Sequence, residues 1–174
     1  MIFNLILVYF LISFVQAQNK CITNDDDRYI DGACFTFFNI PLNFTAAQEY
    51  CQHHAPSAWS ILAKETSDTQ AIWLAKIAVT EFEMNSGYFW IGVYRETTYD
   101  NFKTMDGFYL RYQRFAVMNP SMNYVAARTS DGKWYTLPEE RRLPFVCSYY
   151  PTNVVQTAAN APRVLKSLKE LFYL

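Results

Sequence analysis

The sequence predicts an α+β domain, and three observations carry that reading. Apolar residues recur at helical spacing in two stretches of the first half, around Phe44–Cys51 and Ala71–Phe82. Beyond Gly87 the pattern changes to short apolar runs bounded by turn residues. The two kinds of segment follow one another in blocks, which gives α+β architecture, whereas regular alternation would give a parallel sheet. With 174 residues the chain holds one domain and short appendages. At 51% hydrophobic and 18% aromatic residues it buries enough apolar surface to offset its ordering entropy, which excludes disorder. Lys and Arg total 15 against 16 Asp and Glu, a net charge of −1 that lacks the basic excess of a general nucleic-acid binder.

The first residues set the compartment. Ile2 to Val15 form an apolar run too short to cross a bilayer as a helix, and Val15-Gln16-Ala17 places small residues at −3 and −1. Residues 1–17 are expected to be a signal peptide and the mature chain a secreted, extracellular one; no other stretch is long enough to span a membrane. Export makes disulfides the expected state of Cys21, Cys34, Cys51 and Cys147, and four cysteines allow three pairings. It also makes Asn43-Phe44-Thr45 the one usable glycosylation sequon, since Pro120 spoils Asn119-Pro120-Ser121.

Each element has its own signal. Cys21 and Cys34 flank a polar stretch containing Asp31-Gly32, consistent with a hairpin, and Cys34–Phe38 reads as an aromatic strand. Asn43 is placed to cap a helix on which Phe44, Ala47 and Cys51 share a face. Ser67, three before Gln70, has the pattern of a capping box for a second helix with the stripe Ala71, Leu74, Ala75, Ala78 and Phe82. Phe89–Tyr94 is a nearly continuous apolar run, as in a buried central strand. Tyr124–Thr129 and Lys133–Leu137 flank Asp131-Gly132, a two-residue hairpin signal. Leu143–Tyr149 is a last strand. Between Tyr94 and Tyr124 lies a long irregular segment, of a length that usually serves a function. The domain is expected to span 18–150. Residues 151–174 then form a linker and a short amphipathic tail with Val164, Leu165, Leu168, Leu171 and Phe172 on one side, which docks on its own domain, self-associates or frays.

In this order the motifs resemble a C-type lectin-like domain of the long form, over about Cys21 to Tyr149. Phe44-x-x-Ala47-x-x-x-Cys51 is similar to the first-helix motif, with Phe for Trp. Trp90-Ile91-Gly92-Val93 matches the W-I-G-L strand, and Gly132-Lys133-Trp134 with Phe145-Val146-Cys147 resemble the closing hairpin and last strand. The resemblance implies the pairings Cys21–Cys34 and Cys51–Cys147, and an inner disulfide whose cysteines are missing near Tyr124 and Pro138. It also implies a ligand site in the long loop at Asn119, Pro120, Ser121 and Asn123, with Trp134, Tyr135 and Thr136 after it.

That site departs from the calcium-dependent pattern. Where such members carry E-P-N or Q-P-D and N-D, this chain reads Asn119-Pro120-Ser121 and Tyr135-Thr136. Calcium takes 6–8 oxygens and tight sites rely on carboxylates, so no metal or other cofactor is expected here. The resemblance also implies a cis bond before Pro120, a form often tied to calcium. Arg111, Arg114, Arg128 and Lys133, interleaved with Tyr109, Tyr112, Phe115, Tyr124, Trp134 and Tyr135, form a candidate patch for an anionic ligand. Adjacent His53 and His54 diverge on a helix, and Asp25-Asp26-Asp27 lacks the spacing of a calcium loop. No nucleophile motif appears, so no enzyme is expected. The expected function is calcium-independent glycan recognition, which the family likeness links to defence, and the alternative is an extracellular protein-binding or structural domain.

Overall fold

The computed structural model describes Cys21 and residues 26–151. The expected signal peptide, its cleavage site and the amphipathic tail lie outside the described residues. Strands β1 (Arg28–Ile30) and β2 (Ala33–Leu42) are followed by helix α1 (Phe44–His54) and a single 3-10 turn. Then come β3 (Ile61–Leu62), α2 (Asp68–Glu81), β4 (Tyr88–Tyr94), β5 (Lys103–Thr104), β6 (Phe115–Val117), β7 (Tyr124–Arg128), β8 (Trp134–Leu137) and β9 (Leu143–Tyr149). The strands form one sheet in the order β1-β2-β9-β4-β7-β8-β6, with β3 on β9 and β5 on β4. Pairing is antiparallel except for β4 with β9 and β6 with β8. Two helices and a mostly antiparallel sheet make the α+β class expected from the sequence.

The alternation of side chains along the central strands divides the core. Phe89, Ile91 and Val93 of β4, with Val125 and Ala127 of β7 and Val146 of β9, pack with Leu74 and Ala78 of α2. Trp90, Ala126, Phe145 and Cys147 point the other way, toward Phe44, Ala47 and Cys51 of α1. β4 reads as continuously apolar because both its faces are covered. Gly92 sits where β3 crosses it. A Cβ there would lie 2.2 Å from the Leu62 carbonyl oxygen, and the Gly92 N–H donates to Ala63 O at 2.8 Å.

Both helices are capped as their sequences imply. Asn43 Oδ1 accepts from Ala46 N at 2.9 Å. Ser67 Oγ accepts from Gln70 N at 3.2 Å, but Gln70 Oε1 returns to Thr66 N at 2.7 Å, one residue before the reciprocal partner of a capping box. Cys21–Cys34 and Cys51–Cys147 are both bonded, with Cα–Cα distances of 5.7 and 5.4 Å, as the family likeness implied.

Two details differ from expectation, the length of β2 and the turn at Asp131-Gly132. β2 continues past Phe38 to Leu42, with its register to β9 shifting between those residues, where Pro41 has no N–H to donate. The turn at Asp131-Gly132 is not a two-residue one: Arg128 N–H donates to Lys133 O at 2.9 Å, closing a four-residue loop in which Gly132 takes φ +65°. The two-residue turn with both residues at positive φ is at Asp31 (47°) and Gly32 (87°), between β1 and β2. At the missing inner disulfide, Tyr124 lies directly opposite Leu137, so backbone pairing carries the connection there.

Candidate functional site

The long segment leaves β4 at Tyr94 and returns at β7. Its stems are therefore central strands, and the loop is fixed to the rigid part of the sheet. Within it, Asn119, Pro120 and Ser121 are exposed, and Asn123 is half-buried. Thr136, 6% exposed, holds the turn from below: its Oγ1 accepts from Asn119 N at 2.6 Å and donates to Asn119 O at 3.3 Å. Asn119 Oδ1 accepts from Ser121 N at 3.0 Å, and Met122 N–H donates to Asn119 O at 3.1 Å. The peptide bonds of the described residues are all trans, Asn119–Pro120 included, so the family's cis form is not adopted.

Sequence reasoning missed the residue that organises this turn. Arg95 follows β4 directly and is only 6% exposed. Its Nε donates to Asn123 Oδ1 at 3.1 Å, and its Nη2 donates to Pro120 O at 2.5 Å and Met122 O at 3.0 Å. Its main-chain N–H donates to Asn123 O at 3.0 Å, and the guanidinium lies 4.8 Å from the Phe102 ring centroid. A charged residue ending an apolar strand was the one sequence signal, and the carbonyls it meets carry no side-chain signature. Beside it a groove of about 410 Å³ is lined by Arg95, Asp100, Asn101, Phe102, Tyr109 and Met118, among others. Thr97, through its hydroxyl and then its N–H, holds the Asp100 carboxyl below the usual range.

Not every expected contact residue is available. Trp134 is fully buried and its Nε1 donates to Glu65 Oε2 at 2.7 Å, so it is core and not a ligand contact. Tyr135 is half-buried, against Tyr88 at 5.2 Å and beneath Arg128 at 4.8 Å. Burial pushes the Glu65 carboxyl up to about 7, against the lowering effects of the Trp134 bond and the Arg114 charge.

The four basic residues do not form one open patch. Arg128 pairs with the Asp131 carboxylate, Arg114 pairs with Asp68 and donates to Asp131 O at 3.4 Å, and Lys133 N donates to Asp131 Oδ1 at 3.0 Å. Three of the four are thus gathered at the β7–β8 turn, two of them with acid partners. Arg111 lies apart, at the rim of a cavity of about 470 Å³ lined also by Lys64, Glu65, Phe108, Tyr109 and Tyr150. Among the described residues no cluster of three or more His, Cys, Asp or Glu is placed to hold a metal ion. None of their helices is long and apolar enough to cross a membrane.

A family model described as a C-type lectin domain matches residues 40–149, and the chain belongs to that family. Among curated relatives, C-type lectin domain-containing protein 162 of Caenorhabditis elegans is 31% identical over 88% of this chain, which spans about half (48%) of that protein's length. Snaclec mucrocetin subunit alpha of Protobothrops mucrosquamatus is 23% identical, over 86% of this chain and 94% of its own. Among solved structures, the C-type lectin CEL-I of Cucumaria echinata superposes with a TM-score of 0.67 at 19% identity, over 76% of this chain and 99% of that one. Ovocleidin-17 of the Gallus gallus eggshell gives 0.64 at 22% identity, over 75% and 99%. At these identities the structural likeness establishes the fold alone.

Proposed function

We propose that this domain is a secreted, non-catalytic recognition module that binds a glycan without calcium, at the face formed by the Asn119–Asn123 turn and the groove beside it. The observation that carries the reading is the state of the turn's oxygens. The motif positions supply no carboxylate. Asn119 Oδ1, Asn123 Oδ1 and the Thr136 hydroxyl are each engaged in internal hydrogen bonds, and a guanidinium already stands among the carbonyls. A divalent cation would have to break these bonds and approach a fixed positive charge, so the residues present do not fit a calcium ion. The groove pairs aromatic walls, Phe102 and Tyr109, with the polar groups of Asp100, Asn101 and Gln113, a mixture that suits a hydroxylated ring. The apolar N-terminal run and the two disulfides support an extracellular setting.

The test is a glycan array probed in calcium and again in chelator. Equal binding in both is expected. Binding that needs calcium, or a melting temperature that rises with it, overturns the calcium-free reading.

A second reading, protein binding without sugar, is favoured by one observation. Tyr99, Phe108 and Tyr109 are 97%, 67% and 71% exposed in the same loop segment, more apolar surface than a small sugar covers. The snaclec relative, named as a subunit of an assembly, is compatible with it. An empty array, followed by capture of a protein that is lost when these three aromatics are changed to Ser, would select this reading.

A further inference from the structure

We propose that Arg95 is the built-in cation of the recognition face, a positioning residue whose guanidinium holds the Pro120–Asn123 turn in its binding shape in place of any bound ion. The proposal rests on the calcium-free reading above and deepens it by naming what replaces the metal.

The geometry is that of a small coordination site turned inside out. Two guanidinium nitrogens meet three oxygens from three residues of the turn and its stem: Pro120 O, Met122 O and Asn123 Oδ1. All three acceptors are neutral, so they satisfy the donors through dipoles and not through a salt bridge. The planar cation lies against Phe102, which closes one side, and the side chain is nearly excluded from water. Of the charged groups nearby, Asp100 is bound to Thr97 through its Oδ2, and Glu96 pairs with Lys103 at 2.6 Å, so neither carboxylate is hydrogen-bonded to Arg95.

A guanidinium is suited to this task in two ways. Its donors are fixed in a fork, so one group can address several acceptors in set directions, which a lysine ammonium on a flexible stem does not reproduce. It is also part of the chain, covalently attached where the acceptors converge. The turn is consequently organised by a cation that chelators do not remove.

The test is chemical rescue. In the full-length purified protein, Arg95→Ala is expected to speed amide exchange at Ser121 and Met122 by about tenfold or more, with α1 and β9 unaffected. Free guanidinium at about 10 mM, far below denaturing levels, is expected to restore protection, while calcium at the same concentration does not. If Arg95→Ala fails to fold, Arg95→Lys is read in the same way, with faster exchange at the same two amides expected. Exchange unchanged in the variant, with calcium inert, overturns the proposal and leaves the calcium-free reading standing. Calcium that slows exchange of the turn in the unmodified protein overturns both. Faster exchange that calcium but not guanidinium reverses also overturns the role of Arg95.

Discussion

Trp134 donates its indole N–H to Glu65 Oε2 at 2.7 Å across 69 residues of sequence, and so fixes a carboxyl group inside the core. Glu65 is 3% exposed, and its other oxygen is buried with no hydrogen-bond partner among the described residues. Ionising it there costs the folded state what burial takes from the charge.

The sign of the pH dependence follows. The folded pKa is raised from 4.5 to about 7, so the native state binds the extra proton between those values. The stability associated with the neutral group is fully present below about 4.5 and is lost as pH rises through about 7, an effect on the order of 3 kcal/mol. Urea unfolding at pH 5 and pH 8 should show the loss, and Glu65→Gln, which keeps an acceptor for Trp134, should flatten it. A wild-type stability that rises between those pH values would refute the assignment.

Gly92→Ala is expected to destabilise the domain by about 2–3 kcal/mol, because the added methyl meets backbone and not a movable side chain. The midpoint of chemical denaturation measures this directly. An unchanged midpoint would mean that β3 can move away from β4 without loss.

The two disulfides should differ in worth. On the loop-entropy model, Cys51–Cys147, with a separation of 96, is worth about 4.7 kcal/mol, and Cys21–Cys34, with a separation of 13, about 3. Paired Cys→Ala variants, compared by thermal melting, should lose more for the long link. The opposite order would place the strength of the fold in the N-terminal hairpin.

Thr136→Val keeps the shape of the side chain and removes the hydroxyl that serves both the N–H and the carbonyl of Asn119. A loss of about 1–3 kcal/mol is expected, with the Asn119 amide exchanging faster. Equal stability would show that the turn is held by Arg95 and the Asn119 side chain alone.

Much of the fold was legible because its signals are periodic or local. The apolar run Phe89–Tyr94 and the face Phe44-Ala47-Cys51 record burial directly, and Asn43 and Ser67 act as caps through atoms a few residues away. The site was less legible because its contacts are long-range or main-chain. Nothing near Glu65 in the sequence announces Trp134. The Arg95 acceptors are mostly carbonyl oxygens, which every residue has. The same limit explains the basic patch: charge can be counted along the chain, whereas the pairing of Arg114 with Asp68 is visible only in space. At Asp131-Gly132 a strong local turn signal met a longer loop, because Asp131 spends its carboxylate on Arg128 and the Lys133 N–H.

The neighbouring positions of β2 and β9 bear on how this domain responds to force. Cys34 lies opposite Tyr149, so a pull on the two ends of the domain loads that strand pair at its outer edge and peels it bond by bond. Peeling reaches Cys147 after two register steps, and there the link to Cys51 takes the load covalently. β4, β7, β8 and the whole Asn119–Asn123 turn lie between those cysteines, inside the closed ring. Tension can lengthen the molecule through β2 and α1 while the Asn119–Asn123 turn stays outside the line of force, its shape kept while the strands before it are stretched.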